Sequence, residues 1–503
     1  MDPVLQTLKV AFPRAQLFFP GERTYTTLNE SYFSEMEREH TPACIFLPIS
    51  TLDVSTFMRR MNPFLLQGEV VFAIRSGGQQ FTPGCANIRN GITMDLTLLD
   101  GAEMREGGDN VVSIGPGERW GVVYDFLTAK GLGVTGSRRA ECGVGGTVLG
   151  GGMSFFSSRE GFVCDNVVNF EVVLASGDIV NANEHDNADL WMALRGGGNN
   201  FGVVTRFDMR TFTQGPFFGG SVYYESWEYQ HQIEELVAFL TNPETSAAKE
   251  EVHLRIGLAY KKKWDRCMAQ NQVWYTQPEL NAPELEPFTT MALQVENMRS
   301  LGMTTMWEAS KFQTHDLDGW NRLASSSSSL SREDGPDNGS CYRCAYMNTT
   351  VKAHVQTLKA ASNAFLTSAT TIRNVPGLMY SMSLQPYPVS LLENSARLGG
   401  NSMGLKPSDG PLVGVVLVAY WDHEEHDEMV VGAMKWMLGT VEDEAAARKT
   451  GVPFKLMNYS SDFQNPIASY GTLSRSNMRQ VSKRVDPQGI FQHYVPGRFK
   501  LLA

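Results

Sequence analysis

Three glycine-rich segments, in a fixed order, constrain the fold of this chain more than any other feature of its sequence. They are Ser76-Gly77-Gly78-Gln79-Gln80, the run 143–152 and the run 196–202. Glycine permits positive φ, and it lets backbone N–H groups converge on an anion or lets a flat ring approach the main chain. Each run alone also fits a tight turn. The three together predict a cradle for a phosphate-bearing ligand.

The spacing of these glycines excludes two common phosphate-binding motifs. A G-x-G-x-x-G motif read from Gly143 would need glycine at Val148, and no G-x-x-x-x-G-K-[ST] sequence occurs. Neither a classical Rossmann site nor a P-loop is therefore supported.

Length and charge narrow the class of protein further. With 503 residues, 42% of them apolar, the chain exceeds what one hydrophobic core usually spans, so we expect two lobes. The net charge of -11 argues against nucleic acid or an anionic membrane as partner, because binding them needs clustered Lys and Arg. The expected partner is a small organic molecule, and the oligomeric state stays open.

The N-terminus and the cysteines indicate the compartment. Pro3, Lys9, Pro13 and Arg14 interrupt the early apolar runs, and no segment approaches the roughly 18 apolar residues of a membrane helix. The seven cysteines are scattered and odd in number, unlike a disulfide framework. We expect a cytoplasmic, reduced protein, although a chain that had lost a leader would show the same pattern.

The pattern of hydrophobic residues predicts different kinds of secondary structure in the two parts of the chain. Up to about residue 210, short helices and strands alternate with glycine turns, and from about Pro216 longer amphipathic helices alternate with β-rich runs. Ser50 and Asp53 form a capping box for the first long helix. The other predicted elements are strands at 69–74, 91–99, 111–114, 252–259 and 412–420 and helices at 52–61, 120–130, 188–194, 231–240, 351–366 and 477–485.

Two further motifs are interpreted as structural. Cys341 and Cys344 form a C-x-x-C pair, typical of a redox dithiol or half a zinc site, but no second pair accompanies them. The neighbouring stretch 325–340 has the composition of a surface loop. His423 and His426 have i, i+3 spacing, yet the acidic residues around them favour a solvated helix start, and no metal is assigned.

The order and context of the glycine runs resemble a known family. SGGQQ after a strand, GVGGTVLGGGMSFFSSREGFVCDNV and DLWMALRGGGNNFGVVT are similar to the FAD-binding domain of the berberine-bridge-enzyme-like oxidases, in the vanillyl-alcohol-oxidase (PCMH-type) superfamily. In the tail, Asn458-Tyr459 and the later DPQGIF are similar to that family's C-terminal segment. The resemblance spans the chain in outline and is weakest between about 216 and 400.

The resemblance implies an α+β fold in three parts. A two-lobed PCMH-type FAD-binding domain would occupy 1–212, with its core from about 40. A substrate domain at 213–437 would have a large antiparallel sheet covered by helices, and a berberine-bridge-like segment at 438–503 would return to the FAD domain. The isoalloxazine would lie between the lobes, with the substrate over it.

The resemblance also implies site residues. Tyr459 would transfer a proton, although a buried tyrosine with a satisfied hydroxyl is the alternative. The residues implied to bind FAD are Arg75, Ser76, Gly77, Gly78, Gln79, Gln80, Gly143, Gly145, Gly146, Gly150, Gly151, Gly152, Asp165, Val167, Val203 and Asn458. Those at substrate positions are Tyr380, Gln385, Tyr387 and Tyr420, for which ordinary strand packing is the alternative.

The sequence departs from the family where the flavin is held covalently. The family commonly links FAD to a His in S-G-G-H and often to a Cys before V-G-x-G-G. Here these positions are Gln79 and Arg139, and Cys142 lies three residues later. Glutamine has no nucleophilic nitrogen able to hold the flavin, so we expect FAD to be non-covalent and a milder oxidant.

Three functions follow as hypotheses. The first is an FAD-dependent oxidase that takes hydride from a secondary-metabolite-type substrate and passes electrons to O₂. The second, motivated by the missing histidine, is a non-redox cyclase or isomerase in which FAD is structural or absent. The third is a binding protein without catalysis, and the retained glycines and the Asn-Tyr tail argue against it.

Overall fold

The computed structural model describes residues 1–105, 110–242, 249–280, 282–295, 298–311, 343–497 and 499–502. Cys341 and the predicted loop 325–340 lie outside these ranges. The described strands are β1 (Leu17–Phe18), β2 (Cys44–Phe46), β3 (Phe72–Arg75), β4 (Ile92–Asp95), β5 (Ala102–Met104), β6 (Val111–Ile114), β7 (Leu132–Val134), β8 (Val167–Val173), β9 (Ile179–Asn183), β10 (Val203–Thr213), β11 (Phe217–Glu225), β12 (Val252–Lys261), β13 (Arg266–Tyr275), β14 (Gly302–Thr304), β15 (Arg343–Lys352), β16 (Met379–Tyr387), β17 (Leu412–Trp421) and β18 (Gly451–Val452).

Helices flank these strands throughout the described ranges. They include Asp2–Ala11, Arg23–Asn29, Glu35–Arg38, Thr51–Leu66, Trp120–Thr128, Val144–Leu149, Ser157–Glu160, Ala188–Leu194, Tyr229–Thr241, Glu286–Thr289, Val355–Ile372, Val389–Arg397, Asp427–Ala447, Pro466–Ser469, Thr472–Val485 and Ile490–His493. None of the helices in the described part of the chain combines the length and the apolar character needed to cross a bilayer.

The first part of the chain contains two sheets. One has the order β1-β2-β4-β3, and its strands β2, β4 and β3 are parallel. The helix Thr51–Leu66 begins as predicted, since the Ser50 hydroxyl accepts the backbone N–H of Asp53 at 3.2 Å. The other sheet is antiparallel, with the order β5-β6-β10-β8-β9 and with β7 paired to β10.

An eight-stranded antiparallel sheet forms the second part, with the order β14-β11-β13-β12-β16-β17-β15-β18. Side chains alternate between its faces. On β12, Leu254, Ile256 and Leu258 pack into the core beneath the helices Tyr229–Thr241, Val355–Ile372 and Asp427–Ala447. The intervening residues Arg255 and Gly257 reach the opposite face. The implied α+β architecture with a large antiparallel sheet covered by helices is confirmed.

The tail returns to the first part of the chain. The Asp486 carboxylate accepts the backbone N–H groups of Ile490 and Phe491 at 2.8 and 2.7 Å. This arrangement turns Ile490 and Phe491 into the core that also contains Phe72 and Ile92. The tail is thereby fixed beside the glycine-rich segments, although it is far from them in sequence.

Two predicted elements have different boundaries in the structure, a strand that ends earlier and a helix that begins later. The predicted strand 91–99 stops at Asp95, because the Asp95 carboxylate accepts the N–H of Thr97 at 3.1 Å and starts a 3₁₀ turn. The predicted helix 351–366 begins only at Val355, since Val351 and Lys352 still pair with β17. That partner strand lies some sixty residues away, so the local pattern could not reveal it.

Candidate active site

A cavity of about 440 Å³ lies between the glycine-rich loops and the open face of the eight-stranded sheet. One wall is the backbone of the loops at 76–81 and 137–146. The floor comes from residues of β12, β16 and β17, and the tail residues 457–459 close one side. Such a cleft between two parts of a chain is a usual place for an organic ligand.

The glycine wall exists because two loops touch through their main chains. A Cβ placed on Gly77 would lie 2.5 Å from the Cα of Gly143, and one on Gly143 would lie 2.5 Å from the Cα of Gly77. Gly78 and Gly152 have φ of 62° and 70°, which disfavours any side chain. Around a Cβ on Gly146, by contrast, no described atom beyond its own helix backbone lies within 4 Å, so bare backbone faces the cavity there.

Two polar side chains hold these loops in place. The Ser76 hydroxyl donates to the carbonyl of Pro116 at 2.5 Å and accepts the N–H of Gly145 at 3.2 Å. Asn458 accepts the N–H of Gly152 at 2.9 Å and donates to the carbonyl of Gly146 at 3.2 Å. The tail therefore fixes the shape of the second glycine run.

Of the sixteen residues predicted to bind FAD, twelve line the cavity. They are Ser76, Gly77, Gly78, Gln79, Gln80, Gly143, Gly145, Gly146, Gly150, Gly152, Val203 and Asn458. Gly151, Asp165 and Val167 are not among the lining residues. The Asp165 carboxylate accepts from the N–H of Phe162 and the side chain of Asn401, both at 2.8 Å, so it organises a turn behind the cavity wall.

Arg75 also lies off the cavity, and the structure gives it a different role. Its guanidinium pairs with the buried carboxylate of Asp95 at 3.2 Å and donates to the hydroxyl of Ser31 at 2.6 Å. It also stacks on the ring of Tyr32, 3.9 Å from the centroid. Arg75 supports the base of the first glycine loop instead of facing a ligand.

We predict that Arg75→Met destabilises the fold without removing a direct contact to any ligand. The substitution leaves the Asp95 carboxylate, which is fully buried, without its cation. Breaking one partner of a buried ion pair typically costs about 3–5 kcal/mol. Denaturant unfolding of the variant measures this cost. A loss below about 1 kcal/mol would contradict the structural role.

Arg138 is the central residue that the sequence did not indicate. It is 6% exposed. One Nη donates to Gln385 Oε1 at 2.9 Å and to the Tyr459 hydroxyl at 2.7 Å, and the other lies 3.1 Å from His253 Nε2. Arginine has only donors, so His253 Nε2 accepts and its Nδ1 carries the proton. Burial, Arg138 and Arg255 lower the pKa of His253 well below its usual value, which keeps this imidazole neutral.

The predicted substrate residues separate into two groups. Tyr380, Gln385 and Tyr420 are among the residues that line the cavity. The Tyr380 ring nevertheless packs against Phe365 on the helix-covered face, and its hydroxyl lies 3.3 Å from that of Ser368. Tyr387 packs between Phe162 and Phe454, outside the lining. The alternation of β16 explains Tyr380, because residues 380 and 385 differ by an odd number and so face opposite sides.

Parallel aromatic rings form another wall of the cavity. The rings of Phe81 and Tyr346 lie 4.3 Å apart at 20°, and those of Tyr346 and Tyr459 lie 6.5 Å apart at 11°. The Tyr346 and Tyr420 hydroxyls are hydrogen-bonded to each other. Burial raises the pKa of both phenols, so they stay neutral. Tyr346 was missed because β15 was not predicted, although alternating residues in CYRCAYMN offered a signal.

Gln79 and Arg139, which the resemblance aligns with positions of covalent attachment, both line the cavity. The Arg139 guanidinium lies 5.2 Å from the ring centroid of Phe33. Its Nε is buried without a hydrogen-bond partner among the described residues. In the same part of the chain, no group of three or more His, Cys, Asp or Glu side chains is arranged to hold a metal.

Comparisons with known proteins place this geometry in a family. Residues 42–183 match the model of an FAD binding domain. The fold is similar to Physcomitrella patens BBE-like 1 (TM-score 0.75, 18% identity, 98% of each chain). It is also similar to 6-hydroxy-D-nicotine oxidase from Arthrobacter nicotinovorans (TM-score 0.71, 17% identity, 97% of this chain and 98% of that one). The FAD-dependent monooxygenase tpcD of Cochliobolus heterostrophus is 33% identical over 495 residues, covering 96% of this chain and 89% of the relative.

The chain belongs to the berberine-bridge-enzyme-like family of FAD-linked oxidoreductases. The resemblance read from the glycine runs and the Asn-Tyr tail is thereby confirmed, and so is the assignment as an FAD-dependent oxidoreductase acting on a small organic molecule. The cavity of this oxidoreductase fits the cofactor. Bare backbone at Gly146 leaves room for a flat or phosphate-bearing ligand, and the orphaned Nε of Arg139 is a donor available to an anionic one.

Proposed function

We propose that this enzyme oxidises a small organic, secondary-metabolite-type substrate, with FAD held non-covalently and O₂ as electron acceptor. When bound, FAD supplies the hydride acceptor and the route of electrons to O₂. The observation that carries the proposal is the hydrogen bond between Arg138 and Tyr459, which lies in the same cavity as the glycine wall. The cavity thereby combines a cofactor cradle with a proton-accepting group.

The proposed cofactor site is the glycine wall with its supports. Ser76 and Asn458 hold the loops, and Gly77 and Gly143 keep them close enough to present main-chain N–H groups. Gln79 and Arg139 stand where the family has its linking His and Cys. Neither side chain provides a nucleophile for the flavin at physiological pH, because an amide is not basic and a guanidinium stays protonated.

Tyr459 is the proposed proton acceptor. The Arg138 guanidinium donates to its hydroxyl at 2.7 Å, so a positive charge lies beside the oxygen proposed to take part in the proton transfer. Gln385 fixes the guanidinium from the sheet at 2.9 Å. The neutral imidazole of His253 occupies another of its donors. Gln385 and Tyr420 remain the proposed substrate contacts on the floor.

The first test is release of the flavin by acid. We predict that acid precipitation of the purified yellow protein leaves the flavin absorbance in the supernatant, because Gln79 and Arg139 form no bond to it. The absorbance spectrum of supernatant and pellet measures this directly. Flavin that stays in the pellet would contradict the non-covalent proposal.

The second test separates the possible reactions. Under anaerobic conditions, oxidisable substrate should bleach the flavin, and air should then restore the colour with release of one peroxide per substrate. The name of the 33% identical relative favours monooxygenation as the second candidate. Incorporation of oxygen from ¹⁸O₂ into the product would assign it. Product formation without any bleaching would instead support the non-redox cyclase or isomerase.

A further inference from the structure

We infer that the substrate carries an anionic oxygen on a flat aromatic framework, as a carboxylate or a phenolate, and that Arg138 binds this oxygen beside Tyr459. The inference rests on the proposed function and names the substrate class of the same cavity. It depends on the charge of the lining residues, on the partners of Arg138 and on the aromatic wall.

The cavity has a charge opposite to that of the whole protein. The described residues that line it include Arg138, Arg139, Arg255 and Lys261, and no Asp or Glu is among them. The complete chain nevertheless has a net charge of -11. Positive charge is therefore concentrated where the ligands bind, and low-dielectric walls strengthen its effect on an anion.

Arg138 is a buried cation whose contacts in the described chain are all neutral. They are the Tyr459 hydroxyl, the amide oxygen of Gln385 and the neutral imidazole of His253. A guanidinium has five N–H donors, and these contacts use three of them. A buried cation that lacks a counter-charge is costly. An anionic oxygen of a ligand would supply that charge and accept the remaining donors.

The position of Arg138 favours the substrate over the cofactor as the source of this oxygen. Two of its three partners, His253 and Gln385, come from strands β12 and β16 of the floor, and the third is Tyr459. The glycine wall, where the phosphates are expected, contributes none of these contacts. Arg139 lies on the loop beside that wall and has a donor left for the cofactor.

The walls near Arg138 suit a flat carbon skeleton. The rings of Phe81, Tyr346 and Tyr459 are close to parallel, with interplanar angles of 20° and 11° between neighbours. Apolar side chains of Met379, Val416 and Val418 also line the cavity. Aromatic ligands gain from offset stacking on such rings in addition to the burial of apolar area. A substrate whose anionic oxygen is bound by Arg138 would then lie beside the Tyr459 hydroxyl.

Equilibrium dialysis of the purified FAD-containing enzyme tests the inference without requiring turnover. Two matched pairs of probes are compared: 2-naphthoate with its methyl ester, and 2-naphthol with 2-methoxynaphthalene. We expect at least one acidic probe to bind about tenfold or more tightly than its methylated partner, because charge-assisted hydrogen bonds are the stronger ones. The naphthoate arm identifies a carboxylate site and the naphthol arm a phenolate site. Equal binding within both pairs would overturn the inference.

Arg138→Met should abolish the preference, and the exposed Arg14→Met, which does not line the cavity, should keep it. If Arg138→Met does not fold, Arg138→Lys is measured instead, since lysine keeps the charge but loses the forked geometry. A reduced preference of Arg138→Lys for the acidic probe supports Arg138 as the group that binds the anionic oxygen, and an unchanged preference overturns this assignment. Loss of FAD from Arg138→Met, with the preference intact, would assign the cation to the cofactor and likewise overturn it. Failure of all substrates to bleach the flavin would contradict the proposed oxidation alone.

Discussion

Replacing Tyr459 by Phe is expected to slow substrate-driven bleaching of the flavin by about 10²- to 10⁴-fold, the usual contribution of a positioned acid or base. The substitution removes the hydroxyl to which Arg138 donates at 2.7 Å and leaves the ring beside Tyr346. FAD content should be unchanged, because the cofactor contacts proposed for this segment belong to Asn458. Anaerobic stopped-flow absorbance measures the bleaching rate.

Tyr380→Phe is the matched control for this prediction. It removes the same hydroxyl group from a tyrosine whose side chain packs on the helix-covered face of the sheet. Its bleaching rate should stay within about twofold of the wild type. If Tyr459→Phe also retained the wild-type rate, the assignment of Tyr459 as proton acceptor would be wrong.

Gly143→Val is expected to abolish FAD binding and to lower stability. The Cβ would lie 2.5 Å from the Cα of Gly77, so the two loops of the glycine wall must separate. Overpacking of this kind typically costs about 1–3 kcal/mol, and the N–H groups proposed to meet the cofactor would move with the loops. Thermal unfolding with and without added FAD measures both effects. A variant that binds FAD as tightly as the wild type would contradict the proposed cradle.

Gly146→Ala separates damage to the fold from damage to the cofactor site. No described atom beyond the helix's own backbone lies within 4 Å of the added Cβ, and the residue is helical, so the FAD-free protein should be as stable as the wild type or up to about 1 kcal/mol more stable. FAD binding should nevertheless weaken, because the methyl group enters the cavity. Unchanged FAD affinity would place the cofactor elsewhere.

Local backbone requirements explain what could be predicted for the cofactor site. Close approach of Gly77 to Gly143, and the positive φ of Gly78 and Gly152, can be met only by glycine, so the need is visible in the sequence itself. Asn458 and Tyr459 were recognisable because they are adjacent in a conspicuous tail. Twelve of the sixteen predicted cofactor residues therefore line the cavity.

Arg75 was predicted to bind FAD with the adjoining glycine loop, but it is not among the residues that line the cavity. An arginine that precedes SGGQQ is a plausible anion ligand, but the direction of its side chain depends on neighbours that pack around it. Asp95 and Ser31 turn it away from the cavity. The Tyr380 ring also points to the helix-covered face, although the residue is among those that line the cavity, because a one-residue difference along a strand reverses the face to which a side chain points.

The family, the cofactor and the glycine runs that line the cavity could be read from the amino-acid sequence, because these depend on short motifs whose conformational demands are local. The charge of the cavity and the contacts of Tyr459, by contrast, become visible only when the chain is folded. Arg138 meets His253 across 115 residues of sequence and Tyr459 across 321. Such contacts are set by strand order and by the face of each strand, and neither of these is encoded in any single segment.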